Sequence, residues 1–126
     1  MFGALLDLCK TVFDHLKSEN ELRLETRLRV SGILEEISDI LRDTANKIKA
    51  DDYPHYNCVL LENLSDKLHF NLIEHVNVEE LDRLHKLLRE SSQVEKLYNL
   101  RKDPEVVKEL EKTSAEFKSF ALSIKF

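Results

Sequence analysis

Three of the chain's five histidines lie within one stretch, DKLHFNLIEHVNVEELDRLH. The stretch contains two Asp-x-x-His units, Asp66 with His69 and Asp82 with His85. Residues three apart share one face of a helix. A carboxylate and a histidine at this spacing on each of two helices, together with carboxylates from two more helices, form a di-metal site in helical bundles. Metal binding is therefore the first chemistry to weigh.

The directions of these side chains argue against a metal site. His69 and His85 are equally far from the turn expected between their helices, so an antiparallel hairpin would place them at one level. At about 100° per residue, however, His69 lies roughly 110° from the centre of its helix's leucine stripe, and Asp66 lies nearly opposite that centre. Asp82 has Lys86 four residues on, the favourable order for an ion pair along a helix. We expect these groups to face water or the helix boundary, and we predict no bound metal and no cofactor.

Other histidine and nucleophile chemistry has less support in the sequence. Histidine phosphotransfer bundles carry Lys three residues and Gly four residues after the reactive histidine, whereas His85 is followed there by Leu88 and Arg89. No Gly-rich phosphate loop, Gly-x-Ser-x-Gly or Cys-x-x-Cys occurs. Cys9 lies on an apolar stripe, where a thiol behaves as a small hydrophobic group. The sequence therefore predicts that the chain is not an enzyme and has no catalytic residues.

Length and composition favour one helical domain over residues 1–126. The chain has 126 residues, only two glycines and two prolines, and 34% charged residues. Few helix breakers and many charges are typical of long helices with solvated faces. A chain of this length buries enough surface to fold without disulfides or metal.

Charge and cysteine usage bear on partners and compartment. The net charge of −5 disfavours nucleic acid as a partner, since nucleic-acid binders usually have a basic balance or stripe. Cys9 and Cys58 are expected to be free thiols in a reducing cytoplasm. The N-terminus lacks the positive region of a secretory signal, and no apolar run approaches the ~18 residues of a membrane span. We therefore expect a cytoplasmic protein without a membrane partner.

Apolar residues recur every three or four positions, which predicts helices almost from end to end. A first helix should break near Ser18 and Glu21, which have capping-box spacing, and a second should run from about residue 20 to 50. Gly32 lies opposite the main face of the second helix, and the sequence leaves open whether it marks a kink. The inward positions expected are Phe2, Leu5, Leu6, Cys9, Val12, Phe13 and Leu16 in the first helix, and Val30, Ile33, Ile37, Ile40, Leu41, Thr44 and Ile48 in the second.

Turn residues divide the second half of the chain into further helices. Pro54 is suited to starting a third helix, Asn77 to capping a fourth, and Pro104 to opening the last. A short helix is expected from about residue 92. The inward positions expected are Leu60, Leu61, Leu64, Leu68 and Leu72 in the third helix, Val78, Leu81, Leu84 and Leu88 in the fourth, Val94, Leu97 and Tyr98 in the short one, and Val107, Leu110, Phe117, Phe120, Ala121 and Ile124 in the last. The predicted fold is an all-α antiparallel bundle of about four long helices plus one or two short ones.

One pair of leucines does not fit a simple bundle helix. Leu24 and Leu28 are four apart on the back of the second helix, with Arg23 and Arg27 beside them. Either the first helix folds back over the two leucines, or they form a partner surface, since apolar patches rimmed by arginine mark interfaces. Because the first helix is apolar over a wide arc, we expect residues 2–28 to form one self-associating surface.

The sequence therefore predicts a non-enzymatic, cytoplasmic helical module that acts by binding another protein. A second copy of the chain is the candidate partner, and Arg23, Leu24, Arg27 and Leu28 are the candidate contact residues. The alternative is a bundle with a histidine-based site, for metal or for phosphotransfer.

Overall fold

The computed structural model describes residues 2–19, 23–91 and 104–125, apart from the side chains of residues 18, 19 and 91. In these ranges the chain is helical and contains no strand, which confirms the predicted all-α class. The helices are α1 (Gly3–Glu19), α2 (Leu24–Lys49), α3 (His55–Leu72), α4 (Val78–Ser91) and α5 (Pro104–Lys125). The predicted short helix from about residue 92 lies outside the described residues, as does the capping box expected at Ser18 and Glu21.

Each described helix packs against two others, so the bundle closes into a ring. α2 lies between α3 and α5, α3 contacts α4, and α1 lies between α4 and α5. Hydrogen bonds pair Ser31 with Ala121 and Ser38 with Ser114, so α2 and α5 run antiparallel as predicted. The ring gives α1 two neighbours, which accounts for its wide apolar arc.

Small buried side chains hold α2 against α5. Ser38 Oγ donates to the Ser114 carbonyl at 2.6 Å, and Ser114 Oγ donates back to the Ser38 carbonyl at 2.7 Å. Two turns further along α5, Ser31 Oγ donates to the Ala121 carbonyl at 2.9 Å. Serine at these positions lets the two backbones approach closely while its own hydroxyl is satisfied. This polar row was not expected from the apolar pattern, which marks only one of the two buried sides of α2.

A second polar contact ties α3 to α2. Asn57, which is 2% exposed, donates through Nδ2 to Thr44 Oγ1 at 2.8 Å and to Asp43 Oδ2 at 3.1 Å. Because a buried amide without partners would be costly, these bonds fix the start of α3 against the last turns of α2.

The core matches most of the positions expected from the sequence. Leu60 and Val78 are exceptions, because both are exposed, at 43% and 62%. Leu6, Ile40, Val107 and Phe120 are only partly buried and pack against the edge of the core. The fully buried larger side chains are Phe117, Leu16, Leu34, Ile37, Leu68, Leu72, Leu81, Leu84, Leu110, Val12 and Val30.

The helix ends follow the expected turn residues. Asn77 Oδ1 accepts from the backbone N–H groups of Glu79 at 2.9 Å and Glu80 at 3.4 Å, the bonds of an N-cap. Pro104 is the first residue of α5, where a missing N–H has no cost. α2 begins at Leu24, later than the residue 20 expected, and continues through Gly32 to Lys49.

The turn after α2 depends on one left-handed residue. Asp51 has φ of 58°, its N–H donates to the Ile48 carbonyl at 3.1 Å, and the Asp52 N–H donates to the Lys47 carbonyl at 2.8 Å. These are the two bonds of a Schellman motif. Aspartate is among the few non-glycine residues that adopt this conformation readily, so the DD of the loop ends α2 and redirects the chain into α3.

Candidate functional site

Two Asp–His pairs cross between α3 and α4 at the level that the equal spacing predicts. His85 Nε2 donates to Asp66 Oδ1 at 2.7 Å, and His69 Nε2 lies 3.4 Å from Asp82 Oδ1. The two imidazole rings are 4.7 Å apart and inclined at 45°. Each aspartate therefore pairs with the histidine of the other helix, not with the one three residues away in its own.

The surroundings of this cluster agree with a helix boundary. The histidine side chains are 25% and 26% exposed, and Asp66 and Asp82 are 54% and 67% exposed. Asp82 pairs with His69 across the hairpin, and the Lys86 partner expected for it is not among its contacts in the described ranges. Arg89 Nη1 also lies 3.2 Å from Asp66 Oδ1, a contact that the position of Arg89 one turn after His85 would have indicated.

The cluster changes the acidity of one carboxyl group. The hydrogen bond from His85 lowers the pKa of Asp66 below its ordinary value. Burial opposes this shift, and the nearby charge of Arg89 lowers the pKa further. Asp66 is therefore held as a carboxylate that accepts from both α4 side chains. The chemistry available to the arrangement is charge pairing across the hairpin.

The cluster is not arranged as a metal site. Within the described ranges, no three His, Cys, Asp or Glu side chains are placed to hold one ion. The Nε2 atoms of His69 and His85 each face a carboxylate of the opposite helix and are not directed at one shared point. The absence of a metal stays a prediction, to be checked on the purified protein.

Of the two described cysteines, Cys9 is not placed for nucleophilic chemistry. Both are free, with Cys9 fully buried and Cys58 partly buried. Burial raises the pKa of the Cys9 thiol far above its ordinary value, so the reactive thiolate is strongly disfavoured there.

The candidate partner residues lie at the N-terminal end of α2. Leu24 and Leu28 are 64% and 47% exposed, so α1 does not cover them. Arg23 is exposed beside them, whereas Arg27 is half-buried. The structure therefore leaves two leucines, one above the other on α2, in contact with water.

The expected participation of α1 in this surface is wrong. Its apolar stripe is buried inside the chain, with Leu5, Val12 and Leu16 between 1% and 3% exposed, and it packs against α4 and α5. These residues are core and cannot also face a partner.

α5 also carries an exposed leucine on the outer edge that it shares with α2. Lys118 Nζ lies 3.5 Å from Glu35 Oε1, so both side chains stand on the outer edge of the α2–α5 pair. Leu122, one turn after Lys118, is 46% exposed on the same edge. We call the exposed leucines Leu24, Leu28 and Leu122 together the α2–α5 patch.

A second apolar surface was missed in the sequence. On the outer side of α3, Tyr56 and Phe70 are 76% and 79% exposed, and Val59 and Leu60 are nearly half exposed. Leucines and aromatics on both sides of α3 blur its periodicity, so Leu60 was assigned to the core. The spacing of Tyr56, Leu60 and Phe70 is that of one helix face and could have indicated this surface.

Over the described residues, fold and site together define an all-α helical bundle with exposed apolar side chains on α2, α3 and α5. Asp66, His69, Asp82 and His85 form what we call the polar α3–α4 cluster. None of the described helices combines the length and apolar character needed to cross a membrane. Comparison with protein-family models, curated proteins and solved structures finds no match for the chain.

Proposed function

We propose that this protein is a non-enzymatic interaction module that works by pairing with another copy of itself through the α2–α5 patch. The observation that carries the proposal is the exposure of Leu24 and Leu28 at the N-terminal end of α2. Apolar side chains grouped at the surface and rimmed by charge are typical of protein interfaces.

Symmetry and charge support a copy of the chain as the partner. Most homo-oligomers are two-fold dimers in which one patch meets itself, so no second, complementary surface is required. The chain is acidic overall, with a net charge of −5, which works against nucleic acid as the partner.

A reducing compartment such as the cytoplasm is part of the proposal. Cys9 and Cys58 are both free, and free thiols are the usual state of cysteine in reducing compartments. The non-enzymatic character is proposed because the Nε2 atoms of His69 and His85 each face a carboxylate of the opposite helix.

Sedimentation equilibrium of the full chain tests the proposal. We expect a dimer at tens of micromolar, and we expect Leu24→Asp with Leu28→Asp to convert it to a monomer with the helical circular dichroism signal retained. The fold should survive because both side chains are exposed, and aspartate in the first turn of α2 interacts favourably with the helix dipole.

The matched control uses the other apolar surface. Tyr56→Asp with Leu60→Asp also removes an exposed pair four residues apart, and we expect it to leave the dimer intact. A parent that is monomeric, or a dimer broken by the α3 pair and not by the α2 pair, would overturn the proposal.

A further inference from the structure

The row of α2 that carries the two exposed leucines is nearly symmetric about Leu28. Leu24, Leu28 and Gly32 follow one another at intervals of four residues, which places them on one ridge of the helix. Leu28 is the midpoint of the row. If two such ridges meet antiparallel about Leu28, then Leu24 of each copy lies at the level of Gly32 of the other.

Gly32 provides room for that contact. No atom lies within 4 Å of the position that a Cβ would occupy on Gly32, and its φ is not positive. Neither crowding nor backbone conformation within the chain therefore calls for glycine here, although glycine weakens a helix interior relative to alanine. A side chain from outside can approach the backbone closely at this point.

Charges beside the ridge are complementary in the same arrangement. Glu25 and Arg29 are both exposed and lie on one flank of the row, and Arg29 Nη2 is 3.4 Å from Thr26 Oγ1. In an antiparallel pair about Leu28, Glu25 of one copy and Arg29 of the other differ by two residues in level, or about 3 Å along the axis. That offset is well within reach of two long side chains.

Parallel pairing would lose this complementarity. It would bring the flank of Glu25 and Arg29 of one copy against the flank of Arg23 and Arg27 of the other, so Arg29 would meet arginine and only Glu25 would meet an opposite charge. In the antiparallel arrangement each Glu25 and each Arg29 has an opposite charge as its partner. The antiparallel arrangement also keeps α5 of both copies on one side, where Leu122 extends the contact.

We propose that two copies pair through α2 in antiparallel orientation about Leu28, with Leu24 of each copy on Gly32 of the other and Glu25 paired with Arg29. This inference rests on the proposed self-association and specifies its geometry. The occupant of the patch is a second copy of the same helix.

Substitution of Gly32 tests the packing. Gly32→Gln places a long neutral side chain where Leu24 of the other copy should sit. Overpacking of this kind should raise the dissociation constant of the dimer by about tenfold or more. The thermal midpoint of the Gly32→Gln chain, measured under monomeric conditions, should not fall, because the site is open within the chain and glutamine favours helix. Gly32→Ala, which adds one methyl group, is the matched control and should weaken the dimer less.

Exchange of charges tests the orientation. Arg29→Glu and Glu25→Arg should each weaken the dimer by severalfold at low salt, and the double variant Glu25→Arg with Arg29→Glu should recover the parent affinity. Recovery supports antiparallel pairing, whereas a double variant as weak as the singles would overturn it.

Failure of this inference differs from failure of the proposed function. A parent chain that is monomeric removes both. A dimer that Leu24→Asp with Leu28→Asp converts to monomer, but that tolerates Gly32→Gln unchanged, keeps the α2–α5 patch as the interface and rejects the antiparallel contact on Gly32.

Discussion

At the scale of single residues, the side chains of the polar α3–α4 cluster link the two helices through hydrogen bonds and ion pairs. Asp66 accepts from His85 and from Arg89, both on α4, and Asp82 stands opposite His69. All the groups are at least a quarter exposed, so the contribution of each pair is modest. The equal spacing of the two histidines from the turn located the cluster, but the pairing across the helices depends on rotamers that the spacing does not specify.

The first expected outcome concerns the charge of Asp66. Its pKa is lowered in the folded chain, chiefly by the hydrogen bond from His85, so its contribution to stability is present above the unfolded aspartate pKa of about 3.9 and is lost as the pH falls through the lower folded value. Asp66→Asn should therefore cost up to about 1 kcal/mol at neutral pH, the scale of an exposed pair, and less near pH 3.

Urea unfolding of the parent and of Asp66→Asn at both pH values measures this difference. Asp39→Asn changes another exposed aspartate and should cost less at neutral pH. A cost for Asp66→Asn that stays constant or grows on acidification would contradict the assigned role of its carboxylate.

At the scale of elements, α3 shows what apolar periodicity can and cannot locate. Leu68 is 1% exposed and Leu60 is 43% exposed, yet both were expected to be core. They are eight residues apart, and each turn of four residues shifts the side chain by about 40° around the helix. That drift moves Leu60 to the edge of the bundle, where it is partly exposed.

The same substitution at these two leucines should have unequal effects. Leu68→Ala should cost about 2–5 kcal/mol, because it removes a buried side chain and leaves a cavity. Leu60→Ala should cost less than about 1 kcal/mol, since surface changes are usually small. Equal costs in chemical denaturation would mean that the outer side of α3 is packed in the free chain.

The elements themselves were largely predictable from the sequence, whereas the second buried side of α2 was not. Asn77, Pro54 and Pro104 mark helix starts because capping and proline geometry are local properties. Ser31 and Ser38 are buried because α5 packs against them, and no local pattern distinguishes such serines from solvated ones. The candidate site was also predicted only in part. Leu24 and Leu28 are exposed as expected, whereas the apolar residues of α1 that were expected beside them are buried.

At the scale of the whole molecule, the ring of helices separates the helix faces buried in the core from those exposed to solvent. α1 joins α4 to α5, and Phe13 contacts Phe120 with ring centroids 5.7 Å apart, so the first helix completes the core. The α2–α5 patch and the outer side of α3 lie outside this ring. Partner binding can therefore use either surface without opening the bundle.

This division leads to the last expected outcome. Leu16 on α1 is 2% exposed, and Leu28 on α2 is 47% exposed. Leu16→Asp places an unpaired charge in the core, whose desolvation costs several kcal/mol and is comparable with the whole stability of a small domain. We expect Leu16→Asp to abolish cooperative thermal unfolding in far-ultraviolet circular dichroism, and Leu28→Asp to retain it.

The folded state and oligomeric state of Leu16→Asp also distinguish a core role of α1 from an interface role. If α1 served association and not the core, Leu16→Asp would yield a folded monomer with a normal helical spectrum, like the one expected from Leu24→Asp with Leu28→Asp. A folded, monomeric Leu16→Asp chain would therefore reassign the first helix from the core to the partner surface. An unfolded chain places α1 within the ring, because only a helix buried between α4 and α5 makes a charge at Leu16 intolerable to the monomer itself.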